Sequence, residues 1–105
     1  VAGILETWIR QGYETGPLGY PVSNETATAT GGSHNWFQGG AVYWSPSTGA
    51  HWLGGPILHA WIAQGFETGP LGYPASDPHP VPGGTAVDFQ GGTLVVDGAG
   101  TVVRR

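Results

Sequence analysis

The side chains able to do chemistry in this 105-residue chain are seven carboxylates, four histidines and an unusually full set of aromatics. The carboxylates are Glu6, Glu14, Glu25, Glu67, Asp77, Asp88 and Asp97. A glycosidase needs two of them roughly 5–10 Å apart in unlike environments. Only Glu14 and Glu67 recur in the same local sequence, which gives them like environments and no reason to meet. A catalytic pair is not expected, and the chain reads as a non-enzyme. His34, His51, His59 and His79 share no spacing that would place two of them on one metal, and there is no Cys for thiolate ligation. No metal and no other cofactor is expected. A Gly-x-Ser-x-Gly nucleophile elbow is missing, as is a Gly-rich phosphate loop followed by Lys.

The aromatics carry more. Five Trp and four Tyr exceed what two small cores need, so some are free to meet a ligand. Trp8 and Trp61 fall on apolar helix positions and read as packing. Trp36, Trp44 and Trp52 have no counterpart later in the chain, which makes them candidates for ligand contact, with a larger local core as the alternative. Tyr20 and Tyr73 offer a ring for packing and a hydroxyl for a partner. Glu14 and Glu67 either accept hydrogen bonds from a ligand or fix their own turns through backbone N–H groups. Trp and Tyr platforms among Glu, Asn, Gln and His groups match the apolar C–H faces and hydroxyls of a sugar.

The charge balance narrows the partners. Only 10% of residues are charged and the net charge is −4, which suits a neutral glycan. Three basic residues, Arg10, Arg104 and Arg105, cannot neutralise a phosphate backbone, so nucleic acid and anionic membrane are poor partners. No apolar stretch is long enough to insert in a membrane. No signal peptide is read, so an exported form is expected to be a mature or excised one.

These side chains are positioned by a repeated scaffold. Glu14-Thr15-Gly16-Pro17-Leu18-Gly19-Tyr20-Pro21 returns unchanged as Glu67-Thr68-Gly69-Pro70-Leu71-Gly72-Tyr73-Pro74. From Ile4 to Pro21 the chain matches Ile57 to Pro74 at 14 of 18 positions, and Phe37-Gln38-Gly39-Gly40 returns as Phe89-Gln90-Gly91-Gly92. The offset falls from 53 to 52, so one loop residue is lost between them. A period of this size fits small units that bury their apolar faces against each other. Two units are expected, at 1–53 and 54–105, together one small module.

Within each unit the pattern predicts a short helix, at about 4–11 and 56–64. Ile4, Leu5, Trp8 and Ile9 lie on one face, as do Ile57, Leu58, Trp61 and Ile62. Pro56 suits a helix start, and Gly12 and Gly65 suit a left-handed stop. Gly16-Pro17-Leu18-Gly19 predicts a tight turn with Leu18 pointing inward. Exposed loops are expected over Ser23–Asn35 and Ser76–Thr85. A hairpin follows: Phe37–Trp44 with a bulge at Gly39-Gly40, a turn over Ser45–Gly49, and a return strand Ala50–Leu53. The second hairpin, Asp88–Val96 and Thr101–Val103, is plainer: Val95-Val96 stand for Tyr43-Trp44 and Val103 for Trp52. The fold class is α+β.

The helix Trp, the Leu18-Gly19-Tyr20-Pro21 and Leu71-Gly72-Tyr73-Pro74 turns, and the run Phe37-x-Gly39-Gly40-x-x-Tyr43-Trp44-Ser45-Pro46-x-Thr48-Gly49-Ala50-His51 resemble the LGFP repeat, with Tyr in place of the signature Phe. The resemblance covers nearly all of both units, though the second lacks the Tyr-Trp-Ser-Pro part. That family occurs mainly in actinobacterial envelope proteins, often as tandem repeats on mycoloyltransferases or peptidoglycan hydrolases. It implies an extracellular, cell-wall-associated, lectin-like module anchored to envelope polysaccharide, arabinogalactan foremost. Longer arrays imply a propeller-like ring; two units imply a fragment, a pseudo-twofold two-unit module, or a protomer that closes the ring by homo-oligomerising. The competing reading is a structural or protein-interaction module whose aromatics pack between repeats or subunits.

Overall fold

The computed structural model describes residues 2–28 and 30–105. Val1 and Ala29, which the expected first unit and its first loop include, lie outside the described residues. The same order of elements occurs twice. Helix α1 (Ala2–Arg10) is followed by a single 3-10 turn (Tyr13–Thr15) and strands β1 (Thr26–Ala27), β2 (Ser33–Phe37), β3 (Gly40–Ser45) and β4 (Gly49–Leu53). Helix α2 (Gly55–Ala63) then leads to a 3-10 turn (Phe66–Thr68) and strands β5 (His79–Val81), β6 (Gly84–Phe89), β7 (Gly92–Asp97) and β8 (Val102–Arg104). Each half forms an antiparallel four-stranded meander, β1-β2-β3-β4 and β5-β6-β7-β8. The fold is α+β. The two sheets do not close into a propeller-like ring. Among the described residues no helix is long and apolar enough to cross a membrane.

The repeated phrase is fixed by a set of bonds made twice. Gly12 and Gly65 end the helices with φ of 101° and 107°, a region open to glycine at little cost. The turn closes through the Gly19 N–H to the Gly16 carbonyl, and likewise Gly72 to Gly69. Leu18 and Leu71 are driven fully inside, as expected. The indole N–H of Trp8 donates to the Gly19 carbonyl at 2.8 Å, and that of Trp61 to Gly72 at 3.0 Å, so each helix is pinned to its turn. The amides of Tyr20 and Tyr73 donate to the side-chain oxygens of Gln38 and Gln90. Gly39 and Gly91 donate to the Leu18 and Leu71 carbonyls, which ties the turn to the first sheet corner of each half. The identical Glu-to-Pro phrase and the distant Phe-Gln-Gly-Gly motif are therefore two sides of one joint.

Three sequence expectations are corrected here. Gln38-Gly39 is a hairpin turn joining β2 to β3, with Phe37 paired to Gly40, so Gly39-Gly40 is no bulge inside one strand. The expected loops accordingly contain β1, β5 and the starts of β2 and β6. Register also changes one correspondence: Trp52 pairs with Val42, and Arg104 pairs with Leu94, so Trp52 is replaced by Arg104 rather than by Val103.

Successive elements pack as alternating layers. One face of β3 and β4 (Val42, Trp44, Ala50, Trp52) lies with Ile4, Leu18 and Phe37 in the core beside α1. The opposite face (Ala41, Tyr43, Leu53) joins Ile57, Leu58 and Trp61 of α2, and α2 in turn covers Val87, Phe89 and Leu94 of the second sheet. Helix α2 is thus packed on both sides, and α1 on one. This explains why Leu58 is buried while Leu5, at the matching position, is exposed.

Candidate functional site

The two halves meet along the face of β2–β4 that looks at α2, and several polar bonds cross the junction. The Tyr73 hydroxyl lies 2.6 Å from the Thr28 hydroxyl and 2.5 Å from that of Thr30. Its ring presses on Gly32, where a Cβ would collide with it, so only glycine fits there. Asp77 receives the Trp52 amide and a His51 ring nitrogen, each at 3.2 Å, while the other ring nitrogen of His51 meets the Thr48 carbonyl at 2.7 Å. The bond to Asp77 raises the His51 pKa above its ordinary value, against the opposing effect of burial. Burial on its own would raise the Asp77 carboxyl, but the bonds from His51 and the Trp52 amide outweigh it and leave it low. Gln90 adds a 3.3 Å bond to Ser47.

Beside these links the junction opens into a cleft of about 340 Å³. One wall is the first sheet, with Ala27, Thr28, His34, Trp36 and Tyr43; the other is the 3-10 turn, with Gly65, Phe66, Glu67 and Thr68. Strand alternation sets the first wall: His34 opposes Tyr43 and Trp36 opposes Ala41, so all four side chains share one face. The second wall is set by an unusual backbone. Phe66 has φ of 57°, a left-handed conformation that costs an L-residue about 1–2 kcal/mol. Its ring packs edge-on against Trp61 with centroids 5.8 Å apart, which holds the turn and presents Glu67 to the cleft.

The electrostatics of the cleft suit hydrogen bonding to a neutral ligand. Burial, with the Glu67 charge adding to it, pushes the Tyr43 phenol far above its usual range, so it stays protonated. Nδ1 of His34 is buried and has no hydrogen-bond partner among the described residues. Trp36, half-buried, also borders a second groove of about 350 Å³ with Gln38, Leu58 and His59. Among the described residues no three His, Asp or Glu side chains gather in a way that could hold a metal ion.

The candidates singled out from sequence are distributed unevenly. Trp36 and Glu67 come together in the cleft. Tyr73 is buried behind it as the junction's hydroxyl clamp. Trp44 and Trp52 are half-buried on the other face of the sheet, against the α1 core. Tyr20 and Glu14 are exposed on the first half, away from the cleft. Among the described residues neither Glu carboxylate bonds to its turn; the hydroxyls of Thr15 and Thr68 brace it, donating to the Gly12 and Gly65 carbonyls at 2.7 Å each. Sequence reasoning missed Tyr43, His34, Phe66, Thr28 and Thr68. With the reversal placed at Gln38-Gly39, period-two alternation would have found the first two.

No curated protein matches the chain. The family model of the LGFP repeat matches residues 18–69, a span that runs from one Leu-Gly-Tyr-Pro turn into the next phrase and contains every residue lining the cleft. The chain belongs to the LGFP repeat family through that segment, and so carries a repeat module.

Proposed function

We propose that the protein is a non-catalytic carbohydrate-binding module that anchors its bearer, outside the cell, to an envelope polysaccharide of arabinogalactan type. The observation that carries the reading is the cleft, where Trp36, Tyr43 and Phe66 alternate with Glu67, His34, Thr28 and Thr68. Its aromatic faces suit sugar C–H surfaces, and its polar groups suit sugar hydroxyls. Low charge and the absence of Lys favour a neutral polymer over an anionic one. The same reading takes the chain as two tandem helix–turn–sheet units, 1–53 and 54–105, whose junction makes the site.

The test is a titration with soluble arabinan, galactan and simple sugars, followed by intrinsic Trp fluorescence. A saturable change that Trp36→Ala abolishes, with the circular dichroism spectrum intact, supports the proposal. No response to any glycan sinks it.

A second reading, a structural or protein-interaction module, draws on the Tyr73 clamp and on the packing of Trp44 and Trp52. A stable complex with a protein partner, insensitive to glycans, would favour it.

A further inference from the structure

Trp36 is the common wall of two neighbouring depressions. On one side is the junction cleft of about 340 Å³. On the other is the groove of about 350 Å³ that runs over Gln38, Gly39, Gly55, Leu58 and His59. That groove lies along the first half of α2, whereas Gly65, Phe66, Glu67 and Thr68 wall the cleft beyond the helix's end. The nine residues of α2 rise about 13 Å. A single sugar ring sits on one side of Trp36 or the other; only linked sugars reach both.

The ring between the two depressions is held in place. The Trp36 N–H donates to the Ser23 hydroxyl at 3.0 Å, and the Trp36 carbonyl receives the Val22 N–H at 2.8 Å. The indole is partly buried against the core that the first sheet shares with α2. Its own N–H, unlike those of Trp8 and Trp61, meets no acceptor among the described residues.

The polar groups of the groove are likewise unspent. His59 is exposed and makes no hydrogen bond among the described residues. Gln38 accepts the Tyr20 amide on Oε1 at 3.0 Å, which fixes the side chain and leaves the two Nε2 donors over. Gln90, its counterpart in the second half, spends Nε2 on Ser47 at 3.3 Å. A Cβ on Gly55 would meet no atom within 4 Å, so this end of the groove is open. Gly39 and Gly40 have another reason to be glycine: a Cβ there would strike the Pro17 and Leu53 carbonyls. In the second half Asp88, bonded by His79 and Thr93, precedes Phe89 where Trp36 precedes Phe37, so no ring stands at that place.

We propose that the ligand is a run of linked neutral sugars laid across Trp36, one part in the junction cleft and the other in the groove, where Gln38 Nε2 and the His59 ring form a second subsite. This rests on the glycan-binding reading above and deepens it: the polymer is recognised along its length, and a single sugar engages the cleft alone. Glu67, Thr68 and Thr28 serve the first part, and the Trp36 indole stacks on the sugars between the two.

The test is calorimetric titration of the full chain with a length series of linear arabinan and galactan fragments, from disaccharide to long oligosaccharide. Affinity is expected to rise at least tenfold along the series. His59→Ala, a change at an exposed helix position, should remove most of that rise and leave disaccharide binding unchanged. Longer fragments also offer more registers to one cleft, but that statistical gain is equal in wild type and variant, so the variant isolates the groove. A rise that His59→Ala leaves intact, or equal affinity at every length, overturns the second subsite while the cleft stands. No binding of any fragment overturns the subsite and the glycan reading together.

Discussion

Helices α1 and α2 share the Ile-Leu-x-x-Trp-Ile pattern, yet they live in different surroundings. Both pin their Trp to the following turn and both rest on the sheet that follows them. Only α2 has a second sheet on its other side. The difference shows that the repeated residues serve two purposes. Ile4, Trp8 and Leu18 pack within the first half, whereas Leu5, Ile9, Tyr13 and Tyr20 are exposed there. The cleft belongs to the junction, which is why Glu67 lines it and Glu14 lies in the open.

Paired substitutions test that division. The largest effect is expected at the helix Trp. Trp61→Ala removes a side chain with no exposed surface from contact with Tyr43 and Phe89, and should cost about 3–5 kcal/mol. Trp8→Ala should cost clearly less, because Trp8 is only half-buried. Urea denaturation of the two variants measures both, and equal losses would erase the distinction between the helices.

Leucine gives the next contrast. Leu58→Ala should cost about 2–4 kcal/mol, while Leu5→Ala should stay within about 0.5 kcal/mol, since surface truncations move stability little. Thermal unfolding of the pair suffices to check this. A Leu5→Ala loss as large as that of Leu58→Ala would mean that α1 is covered in solution.

At the tyrosines, Tyr73→Phe removes the hydroxyl shared by Thr28 and Thr30 and should destabilise by about 1–2 kcal/mol. Tyr20→Phe, at an exposed ring, should be neutral. Denaturant midpoints that shift alike for both would remove the clamp from the account.

The smallest effect is the pH dependence of the junction. The raised His51 pKa means its contribution is complete below the ordinary value of 6.5 and is lost as pH rises through the raised value. The lowered Asp77 pKa means its contribution is present above 3.8 and is lost as pH falls through the lowered value. The pair should thus help most between those two ordinary values. His51→Asn should flatten the fall in Tm as pH rises above 6.5, relative to wild type. A variant with the wild-type pH profile would place the sensitivity elsewhere.

Much of the scaffold was legible because repetition doubles each local signal. Pro56, the apolar helix faces, Gly12 and Gly65 placed the helices to within two residues at either end. Leu18 and Leu71 were readable as core because no other aliphatic side chain stands in the phrase. The strands were harder. β1 has two residues and β5 three, too few for alternation to register, and their Thr, His and Pro read as loop. Taking Gly39-Gly40 as a bulge hid the β2–β3 reversal, and with it the shared face of His34, Trp36 and Tyr43. The burial of Trp44, Trp52 and Tyr73 was beyond reach for another reason. It depends on which face of the sheet meets α1 and which meets α2, a tertiary fact that neither copy's sequence carries alone.

The most direct test of a cleft made by two walls is a glycan titration of Glu67→Gln against Glu14→Gln, followed by Trp fluorescence. The two residues sit in identical eight-residue phrases and differ only in the sheet that faces one of them. The account predicts that Glu67→Gln weakens binding by about tenfold or more, the loss of one hydrogen bond from a carboxylate, and that Glu14→Gln leaves it unchanged. Equal losses, or a loss confined to Glu14→Gln, would contradict a site at the junction.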